Sequence, residues 1–206
     1  MNYVKEYLKA IHNGREVVGA KVKSLYEREG AWMDNPPFEW HFDEAAGEKP
    51  IKFIERFCRH SKGRWAGKTI KLELFQKAAI QLAYGWVDEH NKRRFREVVF
   101  LIGRKCGKST LTSGLSLFML MADGEAGAEC YTVANKLDQA KLVFNECVNM
   151  RQQSPQIKNL TKKRQSDIYF PATMSIFKAI ASDTKTMDGL NAHFFCLDEW
   201  HEARDS

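Results

Sequence analysis

Residues 98–111 read Val98-Val99-Phe100-Leu101-Ile102-Gly103-Arg104-Lys105-Cys106-Gly107-Lys108-Ser109-Thr110-Leu111. The first five form an uninterrupted apolar run, the pattern of a strand buried on both faces, as in a parallel sheet. A basic, glycine-rich turn follows. From Thr110 to Met121, Leu111, Leu115, Phe118 and Met119 recur at helical spacing. Strand, tight turn and helix, with Lys-Ser at the helix start, is the layout of a phosphate-binding loop. Glycines let backbone N–H groups turn toward one point, and a helix N-terminus adds donors and the positive end of its dipole. The candidate phosphate-binding residues are Gly103, Arg104, Lys105, Cys106, Gly107, Lys108, Ser109 and Thr110. Lys108 brings a full charge for β- and γ-phosphates, and the Ser109 hydroxyl is a ligand for Mg²⁺. The spacing departs from G-x-x-x-x-G-K-[ST] in one respect. Ile102 holds the place of the first glycine, and Gly103 comes one position late.

A second stretch supports this reading. His193-Phe194-Phe195-Cys196-Leu197-Asp198-Glu199 is another apolar run, here ending in two acids. In a nucleotide hydrolase such a strand lies beside the phosphate loop. Its Asp helps hold Mg²⁺, and the following Glu polarises the attacking water. Asp198 is therefore a metal candidate with Ser109, and Glu199 a catalytic candidate.

Upstream of the loop, residues 2–29 read as helix, with Gly14 and Gly19 as candidate interruptions. Phe38 to Phe42 alternates aromatic and polar side chains, as in an arm that packs on the main domain or docks a partner. Ala45-Ala46-Gly47-Glu48-Lys49-Pro50 is the expected boundary, giving an N-terminal helical arm over 1–48 and a main domain over 49–206. A short helix is expected over Ile51–Arg59, a loop over Ser61–Lys68 and a strong helix over Leu74–Val87. Gln76 lies off the apolar stripe of that last helix, where its amide is either solvated or able to pair with an adenine edge.

Downstream, Ala128–Ala134 reads as a core strand. Asn135 and Asp138 resemble a capping box opening a helix, which Ser154-Pro155 ends. Ile168–Phe170 and Met174–Ile180 read as short strands, and Ser182–Leu190 as a polar loop. Strands alternating with helices imply a mostly parallel sheet covered on both faces.

The chain has 206 residues, enough for an α/β domain with a sizeable core. With 44% hydrophobic and 28% charged residues it is globular rather than disordered. No apolar run approaches the ~20 residues of a membrane span, so no membrane partner is expected. The five cysteines show no C-x-x-C pairing and read as reduced thiols. Cys106 sits in a basic loop without a His-Asn or His-Asp arrangement to make it a nucleophile. A net charge of +6 permits an anionic partner. Lys92-Arg93-Arg94 with Arg96, and Lys158 with Lys162-Lys163-Arg164, are the local basic clusters; each is either solvated loop charge or a DNA contact.

Several stretches, in order, resemble the large terminase subunits of tailed bacteriophages, in the lambdoid group with HK97-like capsids. They are Lys62-Gly63-Arg64-Trp65-Ala66-Gly67-Lys68, Leu74-Phe75-Gln76-Lys77, Gly85-Trp86-Val87, Arg93-Arg94-Phe95-Arg96, the loop Gly103–Ser109, Ser182-Asp183 through Asp188-Gly189-Leu190-Asn191, and Leu197-Asp198-Glu199. A basic loop lacking the usual first glycine is itself typical of that group. The resemblance implies an ATPase motor that couples ATP hydrolysis, with Mg²⁺, to packaging double-stranded DNA into procapsids. It implies work as a homo-oligomeric ring on the portal protein, with the small terminase subunit, in the cytoplasm of an infected bacterial host. It assigns Gln76 to adenine, Lys108 to phosphate, Ser109 and Asp198 to Mg²⁺, Glu199 to water and Arg104 to the γ-phosphate. Arg151, Arg164 and Arg204 remain candidates for an arginine donated to a neighbour.

The expected fold is α/β: a P-loop NTPase of the ASCE type, a three-layer α/β/α sandwich with a mostly parallel central sheet and an N-terminal helical arm. Cys106 departs from the asparagine usual in the group. The chain stops at Ser206, so it reads as a fragment lacking the coupling segment and the nuclease domain. Two other readings stand beside the first. Asp198-Glu199-Trp200-His201 also fits the D-E-x-H of a helicase-like ATPase, and the chain also suits a nucleotide-binding assembly module that does not turn over alone.

Overall fold

Asn2 opens the first helix, its side chain accepting the Lys5 N–H at 2.9 Å. Helix α1 spans Tyr3–His12 and α2 Ala20–Asp34. The single helix expected over 2–29 is thus two, broken through the segment that holds Gly14 and Gly19. The computed structural model describes residues 1–103, 106–182 and 189–197. Further elements are β1 (His41–Phe42), α3 (Glu44–Phe57), a 3-10 turn (Gly63–Trp65), α4 (Leu74–Gly85), β2 (Trp86–Val87) and α5 (Lys108–Met121). They are followed by β3 (Glu129–Ala134), α6 (Leu137–Gln153), α7 (Pro155–Leu160), β4 (Lys162–Lys163), β5 (Asp167–Phe170), β6 (Ser175–Ala181) and β7 (Ala192–Leu197). The chain divides into two compact units, 1–52 with 71–101, and 53–70 with 102–206.

In the first unit, Val4, Tyr7 and Ile11 of α1 share a core with Tyr26 of α2 and with Ala78, Leu82 and Trp86. Gln81, fully buried on α4, fastens α1 from outside. Its Oε1 accepts the N–H groups of Tyr3 and Val4 at 2.6 and 3.3 Å, and its Nε2 donates to the Met1 carbonyl at 2.8 Å. The orphan donors of the α1 N-terminus therefore find an acceptor on another helix. Gly47 makes this close packing feasible: a Cβ there would lie 2.8 Å from the Gln81 carbonyl oxygen.

Residues 45–50, where the boundary is expected, form the first half of α3. Asp43 Oδ1 accepts the N–H groups of Ala45 and Ala46 at 2.8 and 3.1 Å, which starts the helix before the proline is reached. Arg94 leaves the solvated-or-DNA choice by packing inward. Its guanidinium lies 4.2 Å from the Phe38 ring centroid and 5.2 Å from that of Trp32, and it pairs with buried Glu29 at 3.3 Å.

In the second unit one sheet runs β4-β5-β6-β3-β7. β3 is parallel to β6 and to β7, whereas β5 is antiparallel to β4 and β6. The sheet is therefore mixed, not mostly parallel. The reason lies in Pro171-Ala172-Thr173: this short connection allows only a hairpin between β5 and β6, since a parallel crossover needs a dozen or more residues. Helices α5 and α6 touch each other and both pack on β3 and β6, so they share a face of the sheet.

The run Val98–Ile102 forms no strand in the described residues, and Val98, Val99 and Leu101 are 60%, 93% and 96% exposed. An apolar run makes a buried strand only where a neighbour supplies hydrogen bonds along its length, a tertiary condition that hydrophobicity does not meet alone. The capping box at Asn135 also fails to form. Lys136 is the N-cap residue of α6, and Asn135 Oδ1 instead accepts the Ser182 hydroxyl at 3.2 Å. As expected, Ser154 ends α6 and Pro155 begins α7, where its missing N–H costs nothing.

Candidate functional site

The loop residues that the structure describes converge on the start of α5. Gly107 is the N-cap residue, with φ +79° and ψ +16°, a left-handed conformation that favours glycine. Its carbonyl accepts the Leu111 N–H at 2.9 Å, so the helix begins at Lys108 without a side-chain cap. Ser109 is exposed, and Lys108 and Thr110 are half-buried. The amides of this first turn point out of the helix, toward an acceptor from outside it. Beyond the first turn α5 is anchored, with Leu111, Leu117, Phe118 and Leu120 buried. A rigid helix with an exposed, positively polarised first turn suits an anion.

The direction of α5 is fixed by its far end. Asp123, just past the helix, pairs with His193 Nε2 at 2.8 Å, and His193 sits at the start of β7. The β3–β7 register shifts between Glu129 and Cys130, and His193 is the residue passed over there. Such a bulge redirects a side chain. Helix α5 packs on β7 and ends beside its first residues. Fourteen residues of α5 rise about 21 Å, and six residues of β7 cover about 20 Å. The two run antiparallel over matching lengths, so Lys108 and Ser109 lie toward the carboxyl end of β7. There the chain passes from Leu197 to Asp198 and Glu199, which lie outside the described residues, as do Arg104 and Lys105. The carboxyl ends of strands are where open α/β sheets bind ligands.

Gln76 belongs to the first unit. It is buried rather than solvated, and it closes a capping box on α4. Its Oε1 accepts the Glu73 N–H at 3.0 Å, while the Glu73 side chain accepts the Gln76 N–H. Two of the candidate trans arginines are engaged at home. Arg151 is buried, with Nε on Thr161 Oγ1 at 2.7 Å and Nη2 on the Thr161 carbonyl at 2.7 Å, and burial lowers its pKa. Arg164 holds Asp167 through two contacts at 2.7 and 2.9 Å. Arg204 lies outside the described residues. Cys58, Cys130 and Cys147 are free, and burial pushes their thiols up to about 12. They are packing residues. Cys106 is in no disulfide among the described residues and is exposed.

Sequence reasoning missed the Asn135–Ser182 pair, which lies at the carboxyl ends of β3 and β6. The Ser182 N–H also donates to the Ala134 carbonyl at 2.9 Å. The available signal was a polar residue directly after each predicted strand. Among the described residues no helix is long and apolar enough to cross a membrane.

A family model for the terminase large subunit, ATPase domain, matches residues 74–206. The terminase large subunit of Enterobacteria phage HK97 is 32% identical over 163 residues, covering 77% of this chain and 31% of that protein. The terminase large subunit of Lactococcus phage p2 is 25% identical over 170 residues, covering 73% of this chain and 32% of its own length. The crystal structure of the HK97 bacteriophage large terminase superposes with a TM-score of 0.63 at 28% identity, over 77% of this chain and 32% of that one. The chain spans about a third of the length of these relatives.

Proposed function

This chain belongs to the family of terminase large-subunit ATPase domains, and from that premise we propose that it binds ATP at the start of α5 and hydrolyses it to drive double-stranded DNA into procapsids. The observation that supports this most is that α5 runs antiparallel to β7, so that its first turn lies toward the end of the strand from which the chain continues to Asp198 and Glu199. In this reading the intact domain is a P-loop NTPase of the ASCE type. The first-turn amides and Lys108 hold the β- and γ-phosphates, and Arg104 contacts the γ-phosphate. The donor set suits Mg²⁺, a hard cation that prefers oxygen ligands. Ser109, exposed in the first turn, and Asp198 would hold it. Bound there, Mg²⁺ supplies positive charge against the phosphate oxygens. Glu199 orients and polarises the attacking water. Gln76, whose Oε1 is committed to Glu73, would donate its amide N–H to adenine. The portal protein, the small terminase subunit and a ring of identical subunits, in the cytoplasm of an infected bacterial cell, complete the proposal.

The test is Glu199→Gln in the full-length subunit, which keeps the side-chain size and removes the charge. Single-turnover hydrolysis should fall at least about 10²-fold, the lower range for one positioned base, while ATP affinity by calorimetry stays unchanged. Hydrolysis at the wild-type rate would reduce Glu199 to a surface acid and remove the mechanism.

A further inference from the structure

Two segments of the second unit are basic without any acid. Residues 59–69 hold Arg59, Lys62, Arg64 and Lys68, and residues 154–165 hold Lys158, Lys162, Lys163 and Arg164. They are distant in sequence and meet in space. The Arg59 N–H donates to Ser154 Oγ at 3.0 Å, and a Cβ at Gly67 would lie 3.6 Å from Gln153 Oε1. Lys158 lies one helical turn beyond Ser154, its N–H on the Ser154 carbonyl at 2.9 Å. Arg151 then ties that turn to the start of β4 through the carbonyls of Lys158 and Thr161.

Some of these cations are already neutralised: Lys62 by Glu146 at 3.2 Å, and Arg164 by Asp167. Among the described residues no carboxylate pairs with Arg64, Lys68, Lys158 or Lys162, and all four are exposed. Trp65 is 48% exposed, with the Arg64 guanidinium 5.2 Å and the Lys68 ammonium 4.8 Å from its ring. The indole face thus positions two cations toward solvent.

Lysine is depleted at protein–protein interfaces, whereas protein–DNA interfaces are strongly positive. We propose that the 59–69 loop, α7 and β4 form a surface for the phosphate backbone of duplex DNA, with Arg64, Lys68, Lys158 and Lys162 as its contacts and Trp65 as a positioning residue. This rests on the reading that the chain acts on DNA. It adds where DNA touches.

The experiment measures binding of the 206-residue chain to a short fluorescein-labelled duplex by anisotropy, across a range of salt. The variant carries Arg64→Ala, Lys68→Ala, Lys158→Ala and Lys162→Ala. The slope of log K against log salt should shrink by about 4, near one per phosphate contact, and low-salt affinity should drop at least about tenfold. A control carries Lys9→Ala, Lys21→Ala, Lys23→Ala and Lys49→Ala, exposed cations of the first unit, and should bind like wild type. Unchanged DNA binding by the first variant with a native circular dichroism spectrum would overturn the proposal. So would an equal loss in the control, no duplex binding by wild type, or competition by poly-glutamate as effective as by DNA. Calorimetry with Mg-ATP on the same proteins separates the two readings. Retained ATP binding with cation-independent DNA binding sinks the surface alone. Cation-dependent DNA binding without ATP binding upholds the surface and sinks the ATPase site.

Discussion

Asp123 and His193 lie 2.8 Å apart, at the end of α5 and the start of β7, and both side chains are largely buried. This contact ties the helix that begins at Lys108 to the strand that leads to Asp198. Replacing His193 with Ala removes a hydrogen bond from a buried carboxylate. The expected cost is about 1–3 kcal/mol of stability, read as a lower urea midpoint at constant m-value. An unchanged midpoint would show that the pair contributes nothing to holding α5 on β7.

In the proposed site, Lys108→Ala would remove a charged contact to phosphate while leaving the α5 backbone intact. ATP affinity is expected to weaken by roughly 1.5–3 kcal/mol, about 10- to 150-fold in Kd. Isothermal calorimetry with Mg-ATP checks this. Equal affinity of variant and wild type would place the nucleotide elsewhere.

Gly47→Ala sets two effects of opposite sign against each other. Alanine in place of a helical glycine contributes up to about 1 kcal/mol. The added Cβ would stand 2.7 Å from Gln81 Cγ and 2.8 Å from the Gln81 carbonyl oxygen. Backbone cannot rotate away, and overpacking of this kind costs about 1–3 kcal/mol. The net expectation is destabilisation, measured as a lower melting temperature. A higher one would mean that α3 and α4 can move apart freely.

Glu48 carries the expected acid sensitivity. Its carboxylate accepts from Lys52 and from the Met1 amino group at 2.7 Å, and these contacts, Lys52 first, hold its pKa below the ordinary 4.5. A lowered carboxylate pKa means the stabilisation is present above the unfolded-state value and is lost as pH falls through the folded one. Glu48→Gln should therefore lower stability at neutral pH and flatten the loss below about pH 4.5. Parallel denaturation curves for wild type and variant through the acid range would contradict this.

The amino-acid sequence by itself determined those features whose cause is local. β3, the β5–β6 pair and β7 are legible because short apolar runs sit between breakers such as Pro171. The end of α6 is legible because proline stops one helix and starts the next. The family is legible because Gly107, Lys108 and Ser109 must be adjacent to turn amides, charge and hydroxyl toward one point. What only the tertiary structure decided concerns groups whose partners are far away in the chain. The sheet became mixed through the hairpin of β5 on β6, and Val98–Ile102 stayed outside the described strands because no neighbour among the described residues hydrogen-bonds along it. Gln81 is buried because α1 presents it with unsatisfied amides, and Arg94 is half-buried because four aromatic rings and Glu29 surround it. The 59–69 loop meets the start of α7 through a hydrogen bond from the Arg59 N–H to the Ser154 hydroxyl. Hydrophobic pattern and turn chemistry act over a few residues and can be read directly. Pairing of polar groups and cations depends on which surfaces the fold brings together.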